Sequence, residues 1–323
     1  MSPEAIQVTC IGGATVDRKY RTRETVRLRT SNPATSERSF GGVARNVAEN
    51  IARLGMKSSL ISILGQDENG DAIRSDLMRL GIGTQHLVRS GDHATAEYVA
   101  ILGPDGDLAI GLADMAIFDG LTPSLLHQLW PETSPSWIFA DCNLPAPTLH
   151  ELLNQARRNA RMLAMDAVST SKVLRLPRDL SGVGLLFLNL DEAQAFLGPQ
   201  AFLGPSGASP RAIATALLEC GAERVVLTLG EGGLIAVDRT EFTSVASIPA
   251  KVVDATGAGD ALIAGTLVAM LRGRSLADAV RVGTVAAALT VECPHSVRPD
   301  LSPVLLETAM ARISDRTSEG EFS

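Results

Sequence analysis

The strongest constraint on the fold is a repeated rhythm: a short apolar run, a turn with glycine, then a segment with helical spacing. "IQVTCIGG" at 6–13 is apolar and β-branched and ends on two glycines, as a strand buried on both faces does when it reaches a turn. "GGVARNVAENIARLG" at 41–55 then sets Val43, Val47, Ile51 and Leu54 on one helical face, with Gly55 as the stop. "SSLISILG" at 58–65 reads as the next strand and "DENGDAIRSDLMRLG" at 67–81 as the next amphipathic helix. Two strand–helix units in succession predict a parallel sheet with right-handed crossovers. "WIFADC", "MLAMDAV", "GLLFLN" and "RVVLTLG" continue the strands, and "APTLHELLNQARRNA" and "SPRAIATALLECG" the helices. The last third turns helical and alanine-rich, its segment at 275–292 opening with Ser275 and Asp278 in a capping-box-like arrangement.

Two stretches break the rhythm. Residues 17–40 alternate polar and apolar and carry many charges, and 94–112 do likewise around the turn residues Pro104-Asp105-Gly106-Asp107. Both read as exposed strands, and the simplest arrangement pairs them into a small sheet covering one edge of the large one. Residues 1–323 are expected to form one domain, with a polar tail at 314–323 that frays. "AFLGPQAFLGPS" at 195–206 repeats five residues once; without a longer period it reads as a local duplication in a surface loop.

Composition removes several classes of function. The chain is 45% hydrophobic, ample for a large core, and its net charge is −7 with Lys and Arg scattered. No basic stripe exists to neutralise a nucleic-acid backbone, so no nucleic-acid polymer is expected as partner. No apolar run approaches a membrane span and the N-terminus has no signal pattern, which predicts a cytoplasmic protein with no membrane partner. The four cysteines are far apart and read as reduced, buried thiols, and the five histidines show no metal spacing.

The chemistry concentrates in small-residue turns. At Thr256–Asp260 a helix start offers unpaired N–H groups, and Gly257, Ala258 and Gly259 leave the backbone open to an anion. A phosphate there would repel Asp260 unless the carboxylate has its own task, which a general base for an attacking hydroxyl would supply. "TLGEGG", Thr228 to Gly233, follows a strand and adds a hydroxyl and further backbone donors for a nucleotide, with Gly230 and Gly233 as the small positions. Asn189 and Glu192 stand three apart after another strand, a spacing that suits Mg²⁺ held through its waters. Gly41, Gly42 and Asn46 open a helix facing Asp17, a set that suits a vicinal diol. Each stretch has a plainer reading: a loop closed by a capping Asp, a hairpin turn, an Asn helix cap, and a turn before a cap. Neither a P-loop motif nor a dinucleotide fingerprint is present.

"GGVARNVAENIARLG" with "DATGAGDALIAGTL" resembles the two signature segments of the ribokinase-like, PfkB-type carbohydrate and nucleoside kinases, and the likeness runs from "CIGGATVD" through "NLDE" and "TLGEGG" to the end of the chain. The resemblance implies a three-layer α/β/α sandwich with a mostly parallel central sheet of eight or nine strands and a small β-sheet lid. It implies ATP as co-substrate, Mg²⁺, and homodimers joined through the lids. Asp260 would be the catalytic base and Gly257–Gly259 the anion hole, with Asn189 and Glu192 serving metal and phosphates. Asn189, Thr228, Gly230, Gly233, Thr256, Gly257 and Gly259 would line the ATP site, and Asp254 with Thr256 are candidates for a monovalent cation, K⁺. Asp17, Gly41, Gly42 and Asn46 would hold the acceptor's hydroxyls, with Asn143 as a further candidate.

Within the family, "SNPATSERSFGGVARNVAENIARLG", "ADCN" at 140–143 and "DAVSTSK" at 166–172 look more like the pseudouridine kinases than like ribokinases or fructokinases. That branch implies transfer of the ATP γ-phosphoryl to the ribosyl 5′-hydroxyl of pseudouridine; another furanose or nucleoside, or a silent binder on the same fold, are the alternatives. Ser31, Asn32 and Thr95 on the lid are expected readers of the base. Two positions depart from the family pattern: Phe187-Leu188 replaces the usual Lys-Pro before Asn189, and Ala255 stands where many relatives have Thr. Altered packing near the nucleotide is expected from the first.

Overall fold

Side chains that point alternately to both faces of a strand let one apolar run build two cores. In the computed structural model, which describes residues 5–130, 136–159, 161–198 and 209–320, Leu186 and Leu188 pack into one hydrophobic cluster and their neighbours Leu185 and Phe187 into another on the opposite face. Phe187 and Leu188, the family departure, are therefore ordinary two-sided core residues of their strand. The strands are β1 (Val8–Ile11), β4 (Ser58–Gly65), β5 (Leu87–Ser90), β8 (Trp137–Asp141), β9 (Met162–Asp166), β10 (Leu185–Asn189), β11 (Arg224–Thr228), β12 (Leu234–Asp238) and β13 (Phe242–Val245). They form a nine-stranded sheet in the order β13-β12-β11-β10-β9-β8-β1-β4-β5. All neighbours are parallel except at one edge, where β12 and β13 run antiparallel.

One face of the sheet is covered by α3 (Pro123–Leu129), α4 (Ala146–Asn159), α5 (Leu190–Leu197) and α6 (Pro210–Glu219). The other is covered by α1 (Val43–Arg53), α2 (Glu68–Arg79), α7 (Ala258–Leu271), α8 (Leu276–Val291) and α9 (Pro303–Gly320). The expected α1 face faces the core, and Ser275 caps α8 by accepting from the Asp278 amide. Helix α7 has no polar face: it is buried on all sides for most of its length, as a helix surrounded by core must be. At its crossing with α8, a Cβ on Gly265 would lie 2.9 Å from Gly283 Cα, so the close helix contact requires small residues. Helix α9 runs to Gly320, into the segment read as a polar tail. The greater part of the AFLGP duplication lies outside the described residues.

The polar segments pair as expected. β2 (Thr15–Thr22), β3 (Ala34–Gly41), β6 (Glu97–Leu102) and β7 (Leu108–Asp114) form a second sheet in the order β3-β2-β6-β7. Within it β2 and β6 are parallel, and the Pro104–Asp107 turn joins β6 to β7 through Gly103 N–H to Asp107 O at 2.9 Å. The antiparallel register pairs Thr15 with Gly41 and Thr22 with Ala34. One end of this hairpin therefore meets the large sheet, and the loop 23–33 lies at the other, roughly 20 Å away at the rise of an extended strand.

Candidate active site

The C-terminal ends of parallel strands are where an open α/β sheet places its ligands, and the predicted residues gather there. The organiser is Asp141, the last residue of β8 and fully buried. Its Oδ2 accepts from the amides of Gly13 and Ala44, both at 2.9 Å, and its Oδ1 from the amide of Asn143 at 2.9 Å. One carboxylate thus ties the turn after β1, the start of α1 and the loop after β8. Gly12 must be glycine for the same reason: its φ is 149° and a Cβ would sit 2.4 Å from that carboxyl. Burial raises the Asp141 carboxyl above its usual range, against the three amide bonds that favour the anion. Sequence reasoning missed Asp141, although an acid closing the run "WIFAD" is a signal that could have found it.

Facing it is the start of α7. Gly257, the residue before the helix, has φ 81° and no side-chain cap, and a Cβ there would come within 1.8 Å of Ser296 O. Gly259 faces open space. The first-turn N–H groups of a helix have no intrahelical partner, so this uncapped, unobstructed end is open to an anion. Ala258 N–H makes a long bond of 3.3 Å to Ala255 O, and Ala255 contributes only that carbonyl to the turn. Asp260 follows, 8% exposed, with Asn46 Nδ2 donating to its Oδ2 at 2.8 Å. Burial raises its carboxyl to about 7; Asn46 and Arg45 pull it down, while Asp141 and Asp17 push it up.

Asp17 lies beside Gly41, where a Cβ would lie 2.1 Å from its Oδ2, and it accepts from Thr15 Oγ1 at 2.9 Å. Burial raises this carboxyl too. Gly42 serves packing: with φ 94° it brings its Cα against the Gly13 carbonyl, which a Cβ would meet at 2.4 Å. Asn143 accepts from Lys172 Nζ at 2.5 Å, a partner that the sequence reading did not single out. Lys172 follows a turn opened by Val168 at φ 66°, a conformation rarely adopted by a β-branched residue, and burial lowers its ammonium pKa. Asp17, Gly41, Gly42, Asn46, Asn143 and Asp260 are thus assembled at one place.

Of the three predicted base readers, Thr95 has its hydroxyl engaged by the protein, and Ser31 and Asn32 lie elsewhere. Thr95 is buried, its hydroxyl donating to Asp67 Oδ1 at 2.7 Å and accepting from the Gly65 amide at 2.9 Å, so it braces the lid against α2. Ser31 and Asn32 lie in the loop at the far end of the lid hairpin. Asn32 there accepts from the Arg27 amide and donates to the Arg27 and Thr30 carbonyls, and so ties its own loop.

Of the residues expected to serve a nucleotide, Asn189 and Glu192 form a reciprocal capping box on α5, with Glu192 N–H to Asn189 Oδ1 at 2.9 Å and Asn189 N–H to Glu192 Oε2 at 2.8 Å. The plainer reading of the pair, a helix cap, is therefore present in the fold. Burial and the nearby Glu192 charge push the Asp166 carboxyl well up, and two such carboxylates are chemically suited to a divalent ion. Among the described residues no three acidic, Cys or His side chains come close enough to cage one. Thr228 ends β11, and the "TLGEGG" turn uses the amides of Leu229, Gly232 and Gly233 internally. Gly230 faces open space, while Gly233, at φ 84°, is required by the Val245 carbonyl at 2.1 Å from a Cβ. A groove of about 410 Å³ lies between the loop after β13 and helices α8 and α9, lined by Ile248, Pro249, Ala250, Val285 and Leu289 among others.

Asp254, one of the two monovalent-cation candidates, is engaged by the protein itself. Asp254 Oδ2 holds Lys19 Nζ of the lid at 2.6 Å and Oδ1 accepts from the Thr256 amide at 2.8 Å. Both oxygens are engaged, one by an ammonium. Burial alone would raise Asp254, but these bonds together hold it below its ordinary value.

Residues 5–302 match the profile of the pfkB family carbohydrate kinases. The chain is 28% identical over 298 residues to a pseudouridine kinase of Escherichia coli (strain K12), covering 91% of this chain and 93% of that one. A carbohydrate kinase from Agrobacterium tumefaciens superposes with a TM-score of 0.81 at 29% identity, over 95% of this chain and 97% of its own. A ribokinase from Thermotoga maritima superposes with a TM-score of 0.82 at 21% identity, over 95% and 100%. The architecture is the ribokinase-like α/β/α sandwich with a lid, as the sequence implied.

Proposed function

The chain belongs to the pfkB family of carbohydrate kinases, and from that premise we propose that it transfers the γ-phosphoryl group of ATP to the 5′-hydroxyl of pseudouridine. The observation that carries the proposal is Asp260, a buried carboxylate in the first turn of an uncapped helix and held by Asn46. The acceptor hydroxyl oxygen attacks the γ-phosphorus, the bond from that phosphorus to the β–γ bridging oxygen breaks, ADP leaves, and the hydroxyl proton passes to Asp260. With its carboxyl raised to about 7, Asp260 is matched to accept that proton near neutral pH. The first-turn amides of α7 face the charge that spreads over the transferring group, and preorganised donors of this kind contribute most to such a transfer. Mg²⁺, held through water by Glu192 and Asn189, would neutralise phosphate charge when bound.

The remaining residues bind and exclude. Asp17 accepts from the vicinal ribose hydroxyls, and the lid keeps water from competing as acceptor. Gly230 leaves room for the nucleotide phosphates beside Thr228, and the apolar groove at Ile248–Ala250 and Val285 takes the adenine ring. Pseudouridine is favoured over other acceptors by the likeness to its kinase across nine-tenths of the chain. Its C-glycosidic bond frees a second ring N–H, which one well-placed acceptor can select. A homodimer through the lid is part of the reading: β7 is an edge strand whose Leu108 and Leu112 are each 57% exposed.

The test is coupled ADP release with ATP and Mg²⁺ across pseudouridine, uridine, adenosine, ribose and fructose. Preference for pseudouridine is expected. Preference for another acceptor would keep the kinase and discard this substrate; silence across the panel with ATP still bound would favour a binding protein.

A further inference from the structure

Arg45 is the third residue of α1 and is 4% exposed. A cation in the first turn opposes the helix dipole, and this turn has no acidic residue to offset it. Burying a guanidinium is costly unless its donors are satisfied, yet its Nε has no partner. The rest of the fork is fully engaged. Nη2 pairs with Glu49 and with Asp76 Oδ2 of α2 at 2.9 Å, and Nη1 donates to Phe40 O at 3.2 Å and to Asn46 Oδ1 at 3.0 Å. Glu49 and Asp76 are in turn paired with Arg53 and Arg79, so the guanidinium is clamped from two helices.

The contact with Asn46 decides the site's geometry. An amide has one donor end and one acceptor end. With its oxygen held by Arg45, Asn46 can present only Nδ2 to Asp260, and it does so at 2.8 Å. The flipped amide would set its oxygen against the carboxylate. We propose that Arg45 is a positioning residue for the phosphoryl-transfer base: it locks the Asn46 amide so that one oxygen of Asp260 is held and the other faces the acceptor hydroxyl. This rests on the kinase reading above.

The charges around Asp260 make the inference measurable. It faces Asp17 from β2, Asp141 from β8 and Asp166 from β9, and against these the facing cation is Arg45 from α1. Asp260 sits among acids, and among the described residues Arg45 is the cation that reaches it, through an amide, so loss of that cation moves its titration upward.

The test compares wild type with Arg45→Gln, which removes the charge, and with Asp76→Asn, which breaks the same ion-pair network without touching Asn46. Two readouts are taken: kcat against pH, and the titration of the Asp260 carboxyl by ¹³C NMR, which needs no turnover. For Arg45→Gln the acid limb and the NMR titration are expected to move up by about one pH unit, so that the rate falls about 5-fold near pH 7 and about 10-fold at about pH 6 and below, while the alkaline plateau falls less than about 3-fold. Asp76→Asn is expected to lower Tm and leave both titrations in place. If Arg45→Gln does not fold, Arg45→Gln/Glu49→Gln removes a buried counter-charge with the cation and is read the same way. A uniform fall at every pH with an unmoved titration would overturn the proposal and leave Arg45 a structural residue. Absence of turnover in wild type would sink the kinase reading, and the NMR titration would still decide whether Arg45 controls Asp260.

Discussion

The strand ends around α7 and the far tip of the lid are both rich in polar residues, but they use their hydrogen bonds differently. At the strand ends the bonds are long-range: Asp141 ties residues 97 and 128 positions away, and Asn46 reaches Asp260 across 214. At the lid tip they are local, with Asn32 bonding only within five residues. Long-range bonds among buried groups fix a geometry that chemistry needs, whereas local bonds on an exposed loop fix the loop alone. The groups on which the proposed phosphoryl transfer rests are therefore those held at the strand ends.

The largest effect expected from this contrast is at Asp260. Asp260→Asn should lower kcat by about 10³-fold, within the range of general-base removal, with nucleotide affinity by calorimetry changed only a few-fold. Retained turnover would place the base elsewhere. The two glycines beside it should separate strain from access. Gly257→Ala forces a Cβ onto the Ser296 carbonyl at positive φ and should destabilise the fold by about 2–3 kcal/mol, read as a fall in Tm together with lost activity. Gly259→Ala meets open space; it should leave Tm unchanged or higher, by up to about 1 kcal/mol of helix propensity, while still lowering kcat by crowding the anion.

pH links the same region to stability. Asp260 has a folded-state pKa of about 7 against an ordinary 3.8, so between those values the folded protein binds more protons than the unfolded one. Its contribution to stability is present at acid pH and is lost as pH rises through about 7, the window in which activity should rise. Tm measured against pH should fall less steeply from pH 5 to 8 in Asp260→Asn than in wild type. An identical slope would mean that the buried carboxyl is not strained in the fold.

The lid should answer more weakly. Lys19→Met breaks the ion pair that joins β2 to the loop before α7 and should raise the acceptor KM about 10-fold, with Tm within a degree or two, since half-buried pairs contribute about 1 kcal/mol or less. An unchanged KM would show that the lid does not need that tie. Smallest of all, Asn32→Ala should change kcat/KM less than about 2-fold. A large loss there would erase the contrast and indicate that a second copy brings its lid tip over this site.

Much of this was legible beforehand because it depends on local pattern. Strands buried on both faces must read as continuous apolar runs, so "GLLFLN" announces the sheet without any knowledge of its neighbours. The glycines before α7 announce an open helix start, since no side chain is there to cap it. The pairing of Asn189 with Glu192 was legible too, as both a cap and a candidate site, because their spacing is one helical turn.

Other features became visible only when distant segments met. Gly12, Gly42 and Gly233 are required by Asp141, the Gly13 carbonyl and the Val245 carbonyl, constraints imposed by close backbone approach that no window of sequence contains. Thr95 was read as a ligand contact, and its hydroxyl is engaged by Asp67, the cap of α2. Asp254 was read as a cation site, and an ammonium from the lid occupies it. The chain by itself determined the layered sheet, the helix start and the chemical class of its turns, since these follow from periodicity and from residues without side chains. Only the tertiary structure decided which polar groups remain for a ligand, because a buried donor or acceptor must find a partner and that partner comes from wherever the fold brings one.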